Sequence, residues 1–72
     1  ELTPDGIREA LLENLGVLYG ILKRFDLSVQ FLLKANAKSP ENKQILVNLG
    51  TSYDGLGKKD SSAYYLRMAG VK

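Results

Sequence analysis

Residues 14–22 read NLGVLYGIL, and residues 48–56 read NLGTSYDGL. Both stretches follow the order Asn-Leu-Gly-x2-Tyr-x2-Leu, and their first residues lie 34 positions apart. Sliding the whole chain against itself by that interval pairs residues 1–38 with 35–72 and gives eleven identities in 38 pairs. Among them are Leu12/Leu46, Asp26/Asp60, Ser28/Ser62, Leu32/Leu66 and Ala35/Ala69. Chance matching at ordinary composition gives roughly two or three. Self-similarity at a fixed period of this size points to stacked structural repeats.

The spacing within each copy says what is stacked. Leu12, Leu15, Tyr19 and Leu22 fall on one face of a helix, and Leu46, Leu49, Tyr53 and Leu56 repeat that face. A second apolar face follows each: Val29, Leu32, Leu33 and Ala35, then Ala63, Leu66 and Ala69. The expectation is an all-α chain of four antiparallel helices in two hairpins, near 4–22, 26–38, 40–55 and 60–70. Thr3-Pro4 and Ser39-Pro40 each read as an N-cap followed by proline at the first helical position. Asp26 and Asp60 suit the positive ends of the second helices. Gly55 and Gly57 suit the turn after the third helix. Gly16 and Gly50 stand mid-helix, where glycine costs about 1 kcal/mol against alanine. Close approach of the partner helix accounts for both, with the small Ser28 and Ser62 expected opposite them.

Bulk composition excludes most chemistry. The 72 residues allow one small domain. Absence of cysteine and histidine removes disulfides, thiolate or imidazole zinc sites, and Cys-His or Ser-His-Asp catalysis. Net charge is +2, with the basic pairs Lys23-Arg24 and Lys58-Lys59 at turns, so no nucleic-acid stripe forms. No apolar run reaches the roughly 18 residues of a membrane span, and no signal peptide is visible. A cytoplasmic location is the expectation.

Weaker patterns resolve to structure. The stretch DGLGKKDSS over residues 54–62 has neither a preceding strand nor Walker spacing, so it reads as a turn rather than a phosphate loop. Glu9 and Glu13 lie one turn apart on a solvated face, without the second cluster that acid–base chemistry needs. Of Tyr64 and Tyr65, one is expected in the core and one at a surface or interface, rather than both stacking bases. No enzyme activity, cofactor or metal is expected.

The period of 34, with Leu15, Gly16, Tyr19, Phe25, Ala35 and Pro40 in the first copy and Leu49, Gly50, Tyr53, Gly57 and Ala69 in the second, resembles the tetratricopeptide repeat. The likeness covers about residues 9–72, with repeat one near 9–42 and a shortened repeat two near 43–72. The first eight residues read as an extended lead. Departures are Leu12 and Leu46 at the usual aromatic position, Ser28 and Ser62 at the usual alanine, and Lys59 where the first copy has Phe25. Two repeats are fewer than such arrays normally need. A piece of a longer array is therefore the first expectation, and a short module covered by another copy of itself the second.

The resemblance implies a scaffold whose first helices line a concave groove for a partner's peptide or helix. Groove candidates are Glu13, Asn14 and Val17, then Gln44, Val47, Asn48 and Thr51, flanked by Ala10, Ile21 and Gly55. Asn14 and Asn48 stand out because a side-chain amide can bond both polar groups of an extended backbone. Each could equally bond a neighbouring helix or water. Some family members grip a carboxylate with a groove lysine and asparagine, but Glu13 and Val17 occupy those positions, and Glu13 would repel it. The implied function is protein or peptide binding, without nucleic acid or membrane. The alternatives are weak self-association through the fourth helix at Tyr65 and Met68, or a docking arm of a larger enzyme.

Overall fold

The computed structural model describes residues 4–71, without the Asp5 side chain. Four helices follow one another: α1 (Pro4–Ile21), α2 (Phe25–Lys38), α3 (Lys43–Gly55) and α4 (Lys59–Met68). The expected helices are present, and α1 runs from Pro4 where an extended lead over the first eight residues was expected. Thr3, the expected first cap, lies outside the described residues.

Turn chemistry sets the boundaries. After α1 the backbone turns left-handed at Lys23 (φ 61°), and after α3 it does so at Gly57 (φ 78°). Arg24 N–H then reaches back to Tyr19 O at 2.8 Å, and Lys58 N–H to Tyr53 O at 2.9 Å. These bonds satisfy carbonyls that a helix end leaves free. Gly70 (φ 86°) closes α4 in the same way, with Val71 N–H on Leu66 O, so α4 stops short of residue 70. Asp26 and Asp60 lie in the first turns of α2 and α4 as expected.

The cap expected at Ser39-Pro40 is misplaced. Ser39 closes α2 instead, its N–H bonded to Ala35 O, and α3 begins three residues later than predicted. Asn42 is the cap: its Oδ1 accepts from the Gln44 and Ile45 N–H groups at 3.0 and 3.3 Å. Ser39 is already committed to the preceding helix, which leaves Pro40 and Glu41 in the turn.

Packing is sequential. The backbones of α1 and α2, α2 and α3, and α3 and α4 approach one another, and α1 touches α3 lightly. Among the described residues α4 approaches only α3, so the helices form an open row, 35 × 26 × 15 Å overall. The core joins Val29, Leu32 and Ala35 of α2 to Ile45 and Leu49 of α3, with Leu12, Tyr53 and Tyr65 packed on its edge.

The two hairpins repeat their contacts one period apart. Tyr19 stacks on Phe31 at 5.6 Å between ring centres, and Tyr53 on Tyr65 at 5.5 Å. Gly16 faces Leu32, and Gly50 faces Leu66. The glycines therefore admit leucine beside the expected serines: a Cβ at Gly50 would also meet Ser62 O at 3.2 Å. At Gly16 the serine bonds the backbone, the Ser28 hydroxyl donating to Gly16 O at 2.6 Å. With that proton committed, the 2.7 Å contact to Ser52 requires Ser52 to donate to Ser28 Oγ. A hydrogen-bonded chain thus links α3, α2 and α1 in a buried position.

Two expected core faces are only partly buried. Leu15 is exposed on α1, whereas Leu46 and Leu49, the counterparts of Leu12 and Leu15, are buried on α3. Leu22 and Leu56, each just past the end of its helix, are both exposed, as are Leu33 and Ala63. For Leu15 the cause is position in the row: α3 has α2 at its back, and α1 has no helix there among the described residues.

Candidate functional site

Helices α1 and α3 expose side chains along a common edge of the row, with α2 behind them. Where they approach, a recess of about 240 Å3 opens. Gly16 and Gly20 of α1 lower one wall, and Ser28 and Ser52 form a polar floor. Val17 and Ile21 stand on one side, Asn48 and Thr51 on the other, and Phe25 closes one end. The recess exists because Gly20 has no side chain: a carbon there would stand 3.4 Å from Ser28 Oγ and 3.8 Å from Ser52 Oγ. At the Phe25 end, the ring lies against Gly55, leaving no room for a Cβ.

The predicted groove residues divide. Val17, Asn48 and Thr51 line the recess, as does the flanking Ile21. Asn14 and Gln44 are exposed outside it, and Glu13 and Val47 are partly buried without lining it. Gly20, Phe25, Ser28 and Ser52 were not foreseen as recess residues. Gly16 and Gly20 one turn apart do carry a signal, since two glycines in register leave a notch on a helix. The pairing of Ser28 with Ser52, from different hairpins and different places in the sequence period, carries none.

Asn48 has an asymmetric environment. Its Oδ1 accepts from Gln44 Nε2 at 3.4 Å. Its Nδ2 is enclosed and has no hydrogen-bond partner among the described residues. A buried donor without an acceptor costs about 1–3 kcal/mol. Thr51 is internally satisfied, donating to Val47 O at 3.0 Å. The recess therefore offers apolar walls and a hydroxyl floor, with the unpartnered Asn48 amide nitrogen enclosed beside it and accessible only once that side chain turns outward. Such a surface can hold a small side chain and bond the backbone carrying it. It presents no nucleophile–base pair.

Of the residues predicted for self-association, Tyr65 is partly buried and stacked on Tyr53 within its own hairpin, while Met68 is exposed. Tyr64 meets the Tyr65 ring edge-on at 5.0 Å. Burial, with Tyr53 and Tyr64 alongside, pushes the Tyr65 phenol above its usual range. Among the described residues no cluster of acidic side chains could hold a metal ion, and no helix is long and apolar enough to cross a membrane. Comparison with protein-family models, with curated proteins and with solved structures finds no match to this chain.

Proposed function

We propose that the chain is a tetratricopeptide-like scaffold, built as an open superhelix of two helical-hairpin repeats, that binds an extended peptide of a protein partner along α1 and α3. The open row of helices, the paired Tyr19–Phe31 and Tyr53–Tyr65 stacks and the paired Gly16–Leu32 and Gly50–Leu66 contacts support the repeat reading. The observation that carries the binding reading is the Asn48 amide, which lines the recess with its Nδ2 enclosed and unpartnered. Turning that side chain toward the opening would let a peptide carbonyl satisfy Nδ2, and a small apolar side chain next to that carbonyl would enter the recess against the Val17 and Ile21 wall. Asn14, one repeat earlier and exposed, is the second gripping point. Peptide selection from a displayed library of unstructured sequences tests this. Asn48→Ala should weaken the selected peptides about fivefold to tenfold, the order expected for one lost hydrogen bond. Val17→Glu should weaken them further by filling and charging the recess. Parent-like affinity in Asn48→Ala, Asn14→Ala and Val17→Glu alike would remove the groove reading.

A further inference from the structure

The buried α2–α3 interface shows what the two outer faces of the row are shaped to meet. On α3, Ile45, Leu49 and Ser52 face α2 and are 0%, 0% and 3% exposed. Their counterparts one period earlier, Leu11, Leu15 and Leu18 on α1, are 56%, 37% and 50% exposed. With Ile7 and Leu22 they form a continuous apolar stripe, separate from the α2-facing Leu12, Gly16 and Tyr19 and from the recess-lining Val17 and Ile21. On α2, the buried partners are Val29, Leu32 and Ala35. Their counterparts one period later are Ala63, Leu66 and Ala69, and Ala63 and Leu66 line an open recess of about 450 Å3 with Gly70 and Val71. One end of the row thus carries the knobs of the internal interface, and the other end carries its holes.

We infer that copies of this chain associate head to tail, the α1 stripe of one seated on the α4 recess of the next in the register of the internal α2–α3 contact. Substitutions between the two versions compensate. Leu18 replaces Ser52 and is larger, while Ala63 replaces Val29 and is smaller. The Ser28–Ser52 hydrogen bond has Ser62 and Leu18 as its counterpart pair, so the intermolecular version is more apolar. Charge assists: α1 carries three acids against one base, and on α4 Arg67 lines the recess while Lys59 is paired with Asp54. The surface is used once on each end and does not close on itself, so association runs on into chains of copies instead of stopping at a dimer. The contact is one helix face wide, at the small end of specific interfaces, so it is weak. It leaves the α1–α3 groove edge free and is independent of peptide binding there.

Sedimentation of the 72-residue chain from about 10 µM to about 1 mM, the range in which weak interfaces populate, tests the inference. The average mass should climb past two copies without a plateau. A Leu11→Glu, Leu18→Glu variant blocks the stripe, and an Ala63→Glu, Val71→Glu variant blocks the recess. Each should stay monomeric alone, and an equimolar mixture should form a one-to-one complex that grows no further, since one intact stripe meets one intact recess. All four positions are exposed, and helical circular dichroism checks the fold. If the glutamates disturb it, Leu11→Gln with Leu18→Gln, paired with Ala63→Gln and Val71→Gln, carries the same expectation. A parent monomeric at about 1 mM overturns the inference, as does a stripe-blocked variant that still dimerises, which would mean α4 paired with α4. A mixture that stays monomeric overturns it too.

Discussion

A methyl group added at Gly16 would stand 2.5 Å from Leu32 Cγ, and one at Gly50 would stand 2.6 Å from Leu66 Cγ. Neither fits without moving a helix or a leucine. Gly16→Ala and Gly50→Ala should therefore each destabilise by about 1–3 kcal/mol, although alanine is the better helix former. Gly20→Ala makes the opposite case. Its nearest neighbour would be Ser28 Oγ at 3.4 Å, an ordinary contact, so the helix-propensity gain of roughly 0.5–1 kcal/mol should survive. Urea midpoints of the three variants test both signs, and a Gly16→Ala as stable as the parent would remove the close-approach argument. Lys23 offers a second comparison. It holds φ 61° where the other hairpin has Gly57 at φ 78°, and a left-handed residue with a Cβ costs roughly 1–2 kcal/mol. Lys23→Gly returns part of that as backbone entropy of the unfolded chain, leaving a net gain of about 0.5–1 kcal/mol. The Gly16 and Gly50 pair was legible from the sequence as a spacing requirement. That Leu32 and Leu66 share that contact with the expected serines was not, because leucine and serine both recur with the same period.

At the scale of elements, helix identity was legible wherever apolar periodicity extends over three turns; the glycine-closed end of α3 was legible, whereas Gly70 ends α4 two residues short of the expected 70. The start of α3 was misread because Ser39-Pro40 carries a local starting signal, while the preceding helix takes Ser39 to finish itself. Asn42 does the capping, so Asn42→Ala should cost about 1 kcal/mol and Ser39→Ala less, compared by the same urea titrations. The second hairpin has a titration that the first lacks. Tyr65 stacks on Tyr53 at the place where the first hairpin has Phe31, and burial raises its phenol above the usual value near 10. A raised folded value means the unfolded chain ionises first. The contribution is fully present below the unfolded value and is lost as pH rises through the folded one. Stability should fall above about pH 10, and Tyr65→Phe should flatten that fall while keeping the stack. Unfolding midpoints from pH 7 to 11 for parent and variant measure it. An equal alkaline fall in both would locate the effect in other tyrosines or lysines.

Over the whole molecule, the proposed repeat reading has stability add up from hairpins and the interfaces between them. The 72 residues contain two hairpins and one such interface, α2 with α3. The period told how the hairpins would be spaced. It could not tell that Leu15 stands exposed where Leu49 is buried, because that difference comes from neighbours and not from the residues themselves. Candidate site residues divided for a related reason. Val17, Asn48 and Thr51 follow from helical spacing, whereas Ser28 and Ser52 meet only because α2 lies behind both α1 and α3. Covering the α1 stripe within a single chain therefore makes a direct test of the additive picture. Joining residues 1–72 to residues 5–72 of a second copy keeps the recess and the phase of 34, since residue 5 then falls at 73, two periods on, and it brings the second copy's Leu11, Leu15 and Leu18 against the first copy's α4. Fully burying a leucine contributes about 1.5–3 kcal/mol, and these three are roughly half exposed already, so the new interface should contribute about 2–4 kcal/mol. The fused protein should unfold in one transition at a clearly higher urea concentration than the single chain. A control fusion of residues 1–72 to residues 3–72 puts the second copy out of phase by two residues. It turns that copy's α1 by more than half a turn and faces the wrong side chains to α4. It should show no such gain. Equal midpoints for the in-phase and shifted fusions would mean that the outer faces do not stack in the register of the internal interface.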